Sequence, residues 1–250
     1  MRTQVAACLA AALTFGAAAE SVAAKVAKVD LTGYLDGSPQ IGDFKIYDRS
    51  DAKTLESQVI DLVELKKSTE YLYEITEAGN VEREVGETVH GKEARTGSVF
   101  FPDANPPFAF VVAHPKRVQS FFVVPGKPQK FKIGLAVISQ GQRFGKAVLA
   151  GATTFVGFEP PPVIPDFNPS QELLAHLHRE ETLTVKLGGS VFLTVQESDS
   201  WISPSLGTVL MTRKGQTYQD GVPGDAIGPY TYTFDNGVYH GVPYAMPVAP

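Results

Sequence analysis

Leu173-Leu174-Ala175-His176-Leu177-His178-Arg179-Glu180-Glu181-Thr182-Leu183-Thr184-Val185-Lys186-Leu187, then Gly188-Gly189-Ser190, then Val191-Phe192-Leu193-Thr194-Val195-Gln196-Glu197-Ser198-Asp199-Ser200-Trp201, reads as two strands and a turn. Alternation is the reason. Leu183, Val185 and Leu187 recur at every second position, as do Val191, Leu193 and Val195, and alternate side chains of a strand share a face. The glycines supply the positive φ that a tight turn needs. A three-residue loop, Gly188-Gly189-Ser190, sets Leu187 opposite Val191, Val185 opposite Leu193 and Leu183 opposite Val195. A two-residue loop would instead set Val185 opposite Phe192 and Leu183 opposite Thr194. Register follows the buried face, so the three-residue loop is the expectation.

That register carries a charged cluster with it. Arg179 falls opposite Asp199, Glu181 opposite Glu197 and Leu177 opposite Trp201. Arg179 and Asp199 would form a cross-strand ion pair. Glu181 and Glu197 would meet as like charges, neutralised by Arg179, a cation or a ligand. The competing expectation is that the sheet bends here and the charges meet water, because acidic side chains are seldom buried. His176, His178 and Glu180 share the other face. A His-x-His pair on a strand can hold a transition metal, but no third ligand is recognisable, so a solvent-facing strand is expected, with no metal and no cofactor.

The rest of the chain is written in the same way. Pro and Gly punctuate runs rich in Val, Phe, Tyr, Ile and Thr, a pattern of many short strands with few helices. Gly42-Asp43 turns into a strand at Phe44–Tyr47. Tyr71, Tyr73 and Ile75 share a face, after a turn at Lys67-Ser68. Phe131, Ile133, Leu135 and Val137 form one apolar face. Phe108–Val112 and Phe121–Val124 are apolar on both faces, as expected for core strands or for strands lining an apolar cavity. The run from Glu159 to Pro169 holds five prolines and is a loop. Beyond Arg213 the chain becomes Tyr-, Gly- and Pro-rich, with an expected strand at Pro229–Phe234, a turn at Asp235-Asn236-Gly237 and a poorly packed end.

Composition narrows the function. The first residues combine one positive charge at Arg2, a short apolar run from Val5 to Ala19, and small residues before Glu20 and Lys25. That is the three-part pattern of a cleavable export signal, and the run is short of the ~20 apolar residues a membrane-spanning helix needs. Cys8 lies too close to the start to serve as a lipidation box. With the leader removed no cysteine remains, so neither a disulfide nor a cysteine nucleophile is available. A net charge of −5 argues against nucleic acid, which needs clustered basic surface. Hydrophobic residues at 43% suffice for a sizeable core. There is no Gly-x-Ser-x-Gly elbow, no His-Glu-x-x-His and no dinucleotide fingerprint, and Gly145-Lys146-Ala147 lacks the rest of a phosphate loop.

Tyr34-Leu35, Gly42-Asp43-Phe44-Lys45-Ile46-Tyr47 and Trp201-Ile202-Ser203-Pro204-Ser205-Leu206-Gly207-Thr208-Val209 resemble the opening strand and the closing hairpin of exported bacterial β-rich proteins and lipoproteins of unknown function. Their usual Pro-Ala-Gly-x-Phe turn is matched only by the divergent Pro165-Asp166-Phe167. The resemblance implies a curved antiparallel sheet, distantly similar to the half-barrel of periplasmic lipoprotein carriers, and no catalytic residues.

The expected architecture is all-β: a curved antiparallel sheet as half-barrel, open barrel or sandwich. Residues 1–24 are the signal, 25–213 the domain and 214–250 an extension packed on it or partly disordered. The expected function is a non-enzymatic binding protein, periplasmic or extracellular, for a lipid or other hydrophobic or amphipathic molecule. Its lining would come from Phe108, Phe110, Phe121, Val123, Phe131, Ile133, Leu135 and Trp201. The alternatives are a cell-envelope structural or adhesion module using the tyrosine-rich tail, and a hydrolase using the Glu181 and Glu197 carboxylates.

Overall fold

A computed structural model describes residues 27–35, 39–160, 173–239 and 241–245. The export segment and the proline run from residue 161 on lie outside the described residues. The elements are β1 (Val29–Asp30), α1 (Thr32–Leu35), β2 (Phe44–Arg49), β3 (Thr54–Glu64), β4 (Ser68–Glu77), β5 (Asn80–Val89), β6 (Glu93–Phe101), β7 (Phe108–Val111), β8 (Lys116–Ser120) and β9 (Phe122–Val123). They continue as β10 (Gln129–Ser139), β11 (Gln142–Glu159), β12 (Leu174–Leu187), β13 (Ser190–Ser203), β14 (Gly207–Gln219), β15 (Val222–Tyr239) and β16 (Val242–Ala245).

Neighbours in the sequence are mostly neighbours in the sheet. The order runs from β14 back through β13, β12, β11, β10, β7, β6, β5, β4, β3 and β2 to β15, and β15 also pairs with β14. The expected curved antiparallel sheet therefore closes into a barrel of twelve staves. Closure removes the sheet edges that would otherwise invite pairing with other chains. β8 takes the place of β7 along the lower part of β6, and β16 adds outside β15.

The two ends differ in chemistry. Four hairpins turn on two residues each with positive φ at both: Ala78-Gly79, Gln140-Gly141, Gly188-Gly189 and Asp220-Gly221. Such turns twist in the sense of the flanking strands. By the up-and-down order all four lie at one end, the turn end. The other end is stopped by β1, α1 and β9. Asp30 Oδ1 accepts the Thr32 N–H at 2.8 Å, and the Leu31 carbonyl accepts from Tyr34 and Leu35, closing the single helical turn. Leu31 packs with Val123, Phe155, Ala175, Leu177 and Ile202.

Side chains alternate between lumen and outside. Phe131, Ile133, Leu135 and Val137 are all buried and pack with Val118, Ala147 and Val185, as alternation predicts. The outward positions across the same wall carry exposed Lys132, Lys146, Glu180, Lys186 and Lys214. A barrel in lipid needs an apolar outward band instead, so this outer face is one that water covers. Among the described residues no helix is long and apolar enough to cross a membrane.

Three sequence expectations are corrected. The Leu173–Trp201 hairpin turns on two residues, so Val185 faces Phe192, Leu183 faces Thr194 and Arg179 faces Ser198. Arg179 and Glu181 therefore project into the lumen while Glu197 and Asp199 project outward, and the four-residue charged cluster does not form. Turn chemistry decided the register: positive φ at Gly188 and Gly189 fits the two-residue turn. Secondly, Arg213 marks no boundary, because β14 runs on to Gln219 and β15 is the closing stave. Thirdly, Asp235-Asn236-Gly237 is no turn; β15 passes through it with a bulge between Phe234 and Asn236.

Candidate functional site

A cavity of about 360 Å³ lies just inside the stopped end. Its walls come from both sides of the barrel. β2 gives Phe44, Lys45 and Tyr47, β3 gives Ser57 and Val59, β4 gives Tyr73, and β5 and β6 give Thr88 and Ala94. Ile202, Gly207 and Thr208 complete the ring from β13 and β14, and Tyr34 and Leu35 of α1 form the stopper. Lys45 and Tyr47 share the lumen face because they are two positions apart on one strand, and Lys45 is directly opposite Ser57. Tyr47 and Val59 are buried, and the Tyr47 hydroxyl donates to the Thr208 carbonyl at 3.0 Å.

Lys45 is the distinctive group. Burial pulls its pKa down from the usual 10.5 to about 8, against the attraction of Asp43. Asp43 is itself buried and accepts the backbone N–H groups of Gln40 at 2.8 Å and Gly241 at 3.0 Å. Gly207, at φ +72°, leaves the space that the Lys45 ammonium occupies; a Cβ there would collide with Nζ. Burial pushes the Tyr47 phenol well above its usual range. The cavity thus combines aromatic and aliphatic walls with one amine, one carboxylate at Asp43 and a few hydroxyls, the make-up of a small-molecule site.

Towards the turn end the lumen is polar and several of its charges are paired. Glu77 meets Arg49 at 2.6 Å, the Tyr232 hydroxyl at 2.6 Å, and Arg213. Burial would raise the Glu77 pKa, but Arg213, Tyr232 and Arg49 together hold it below the usual carboxylate value. Tyr230 and Tyr232 face inward here, with Arg49 over the Tyr230 ring at 4.2 Å. They are therefore wall residues, not the exposed contact tail the composition suggested. Arg179 pairs with Glu181 and lies over the Phe131 ring at 5.2 Å.

Outside the stopped end, His176 Nε2 and His178 Nδ1 both reach Asp199 Oδ1, at 2.9 and 3.0 Å. His176 Nδ1 meets Glu159 at 3.0 Å, and its ring stacks on Trp201 at 4.4 Å. Hydrogen bonds from His176 and then Trp201 lower the Glu159 pKa. Nitrogen and oxygen touch directly, and among the described residues no group of three His, Cys, Asp or Glu is arranged for a metal ion. A groove of about 710 Å³ also crosses the outside of β11 to β15, between a charged row with Glu180, Glu197 and Lys214 and a small one with Ala150, Thr182 and Val195. It is larger than the lumen cavity but is open surface, with peptide groups for a floor.

Of the residues singled out from sequence, Phe131, Ile133 and Leu135 are packed core, with Phe108 and Phe110 against them. Phe108 stacks on Phe101 at 4.6 Å. Phe121 and Val123 are buried near α1, and Trp201 lies outside on β13. None of the eight borders the lumen cavity. Sequence reading missed Lys45, although a lysine two residues from Tyr47 on an aromatic strand face was the available signal.

No family model matches the chain, and no curated protein matches it. Two crystal structures are similar in fold. One is a candidate lipoprotein from Parabacteroides distasonis ATCC 8503, with 10% identity, a TM-score of 0.44, and coverage of 80% of this chain and 97% of that one. The other, described as an exported protein with YmcC-like fold, is from Bacteroides fragilis NCTC 9343, with 13% identity, a TM-score of 0.39, and coverage of 79% and 96%.

Proposed function

We propose that the protein is an exported binding protein that holds a small amphipathic molecule in the lumen cavity. The observation that carries this is the cavity itself: about 360 Å³ inside a closed barrel, walled by Tyr47, Val59, Tyr73, Leu35 and Ile202 and holding one half-buried lysine. Pockets of ~300–1,000 Å³ with mostly apolar walls and few polar groups are typical of small ligands. Export rests on the three-part N-terminal segment. Among the described side chains, the two carboxylates once paired for hydrolysis, Glu181 and Glu197, lie on opposite faces of the wall, so nothing there favours that chemistry.

The neutral dye N-phenyl-1-naphthylamine tests the reading. Its fluorescence should rise saturably with one dye per chain. Ser57→Phe, which fills the cavity from β3, should abolish the signal while the thermal transition stays cooperative. Saturable binding undiminished in Ser57→Phe would place the site elsewhere.

A further inference from the structure

We propose that the stopped end of the barrel docks on an anionic lipid surface, its apolar rim side chains entering the interface and its lysines meeting the head groups. This goes beyond the cavity reading and does not depend on it.

The placement of exposed apolar side chains is the first argument. Ile41, Leu65, Phe122, Val156, Phe158 and Val242 are between 40% and 61% exposed. They come from separate segments that meet at one end: the turn before β2, the β3–β4 turn, β9, the last part of β11 and the start of β16. Phe158 also packs on Tyr34 of the stopper, with ring centres 5.2 Å apart. Single exposed apolar groups are ordinary, but a set gathered round one end marks a contact surface. The wall above carries exposed Lys132, Lys146 and Lys186, so the contact is end-on.

Charge is the second argument. Lys28, Lys66, Lys67, Lys92 and Lys127 are exposed in the turns of the same end. Among the described residues none of the five forms an ion pair. Most carboxylates there are occupied. Asp30 accepts the Thr32 N–H at 2.8 Å, Glu93 pairs with Arg95 at 2.7 Å, and Glu159 meets His176 and Trp201, each at 3.0 Å. Asp43 is buried on two backbone N–H groups, and Glu64 is exposed. The turn end instead presents exposed Asp103, Asp220 and Asp225. A chain of net charge −5 thus gathers unpaired lysines round its apolar end. Two copies meeting end to end would set lysine against lysine, which disfavours a second copy as the partner. Apolar groups interleaved with lysines match an anionic bilayer, where both contribute to binding. A soluble polyanion would use the lysines alone.

Flotation with vesicles tests the assignment on residues 25–250, free of the leader that would itself enter lipid. Binding to equal parts phosphatidylcholine and phosphatidylglycerol should be about tenfold or more tighter than to phosphatidylcholine alone, and should weaken with salt. Lys66→Glu with Lys127→Glu should weaken it about tenfold or more. Leu65→Ser with Phe122→Ser should weaken it about fivefold or more, with the thermal transition still cooperative because both side chains are exposed. Lys146→Glu with Lys186→Glu, the same charge change on the wall, should leave it unchanged. Absence of binding, equal binding to both kinds of vesicle, or an equal loss in the wall variant would overturn the proposal. So would vesicle binding undiminished in Leu65→Ser with Phe122→Ser, which would make the end a site for soluble polyanions. None of these results bears on the dye test of the cavity.

Discussion

At Lys45, burial of a single residue sets a stability cost that depends on pH. Its folded-state pKa of about 8 lies below the usual 10.5, so between those values the unfolded chain binds more protons and stability rises with pH. The cost is fully present below 8 and gone once the pH passes the ordinary lysine range. Lys45→Met should therefore stabilise the protein at neutral pH, by about 1–3 kcal/mol, with Asp43 still held by two backbone N–H groups. The gain should shrink to nothing as the pH approaches the ordinary lysine value. Urea unfolding at neutral and strongly alkaline pH measures it, and a Lys45→Met chain less stable than the native one at neutral pH would contradict it.

At the scale of the element, the hairpin of β12 and β13 separates what a pattern can tell from what it cannot. Strand identity was legible, because alternation over Leu183–Leu187 and Val191–Val195 leaves no other reading. Register was not. Matching apolar to apolar assumed that both sets bury on one face, but the lumen face of β13 is Phe192, Thr194, Gln196, Ser198 and Ser200, and Val191, Leu193 and Val195 point outward. A lumen that is partly polar breaks the rule that greasy faces pair. The two-residue turn at Gly188-Gly189 was the better guide. The same error hid the outer His176–Asp199 contact and invented an Arg179–Asp199 one. The corrected register makes a measurable claim. Arg179→Ala and Asp199→Ala should be additive within about 0.5 kcal/mol, since the two side chains lie on opposite faces. Arg179→Ala and Glu181→Ala should couple, because these two form an ion pair in the lumen. A substantial coupling energy between Arg179 and Asp199 in urea unfolding would restore the three-residue loop.

The whole molecule depends on closure, and closure depends on a segment that composition sets apart. The shift to Tyr, Gly and Pro after Arg213 looked like an extension because glycine and proline weaken strands. In the barrel those residues serve the bends of the last stave. β15 pairs with β14 on one side and β2 on the other, and its Tyr232 and Phe234 are buried with Tyr47, Leu174 and Val209 in one cluster. Ending the chain at Arg213 removes β15 and half of β14. It leaves β2, the remainder of β14 and the upper part of β13 with open edges, strips two aromatic side chains from the core, and takes the Tyr232 hydroxyl away from Glu77. Burial of one large aromatic is worth about 1.5–3 kcal/mol, and whole domains are stable by only about 5–15 kcal/mol, so two such losses plus two ladders exceed what the remainder can absorb. Residues 25–213 should therefore give no cooperative thermal transition by circular dichroism and should associate through their edges, whereas residues 25–245 should melt cooperatively. If residues 25–213 melted in one transition close to that of the longer chain, β15 would be an appendage after all and the closed barrel would not be the folding unit.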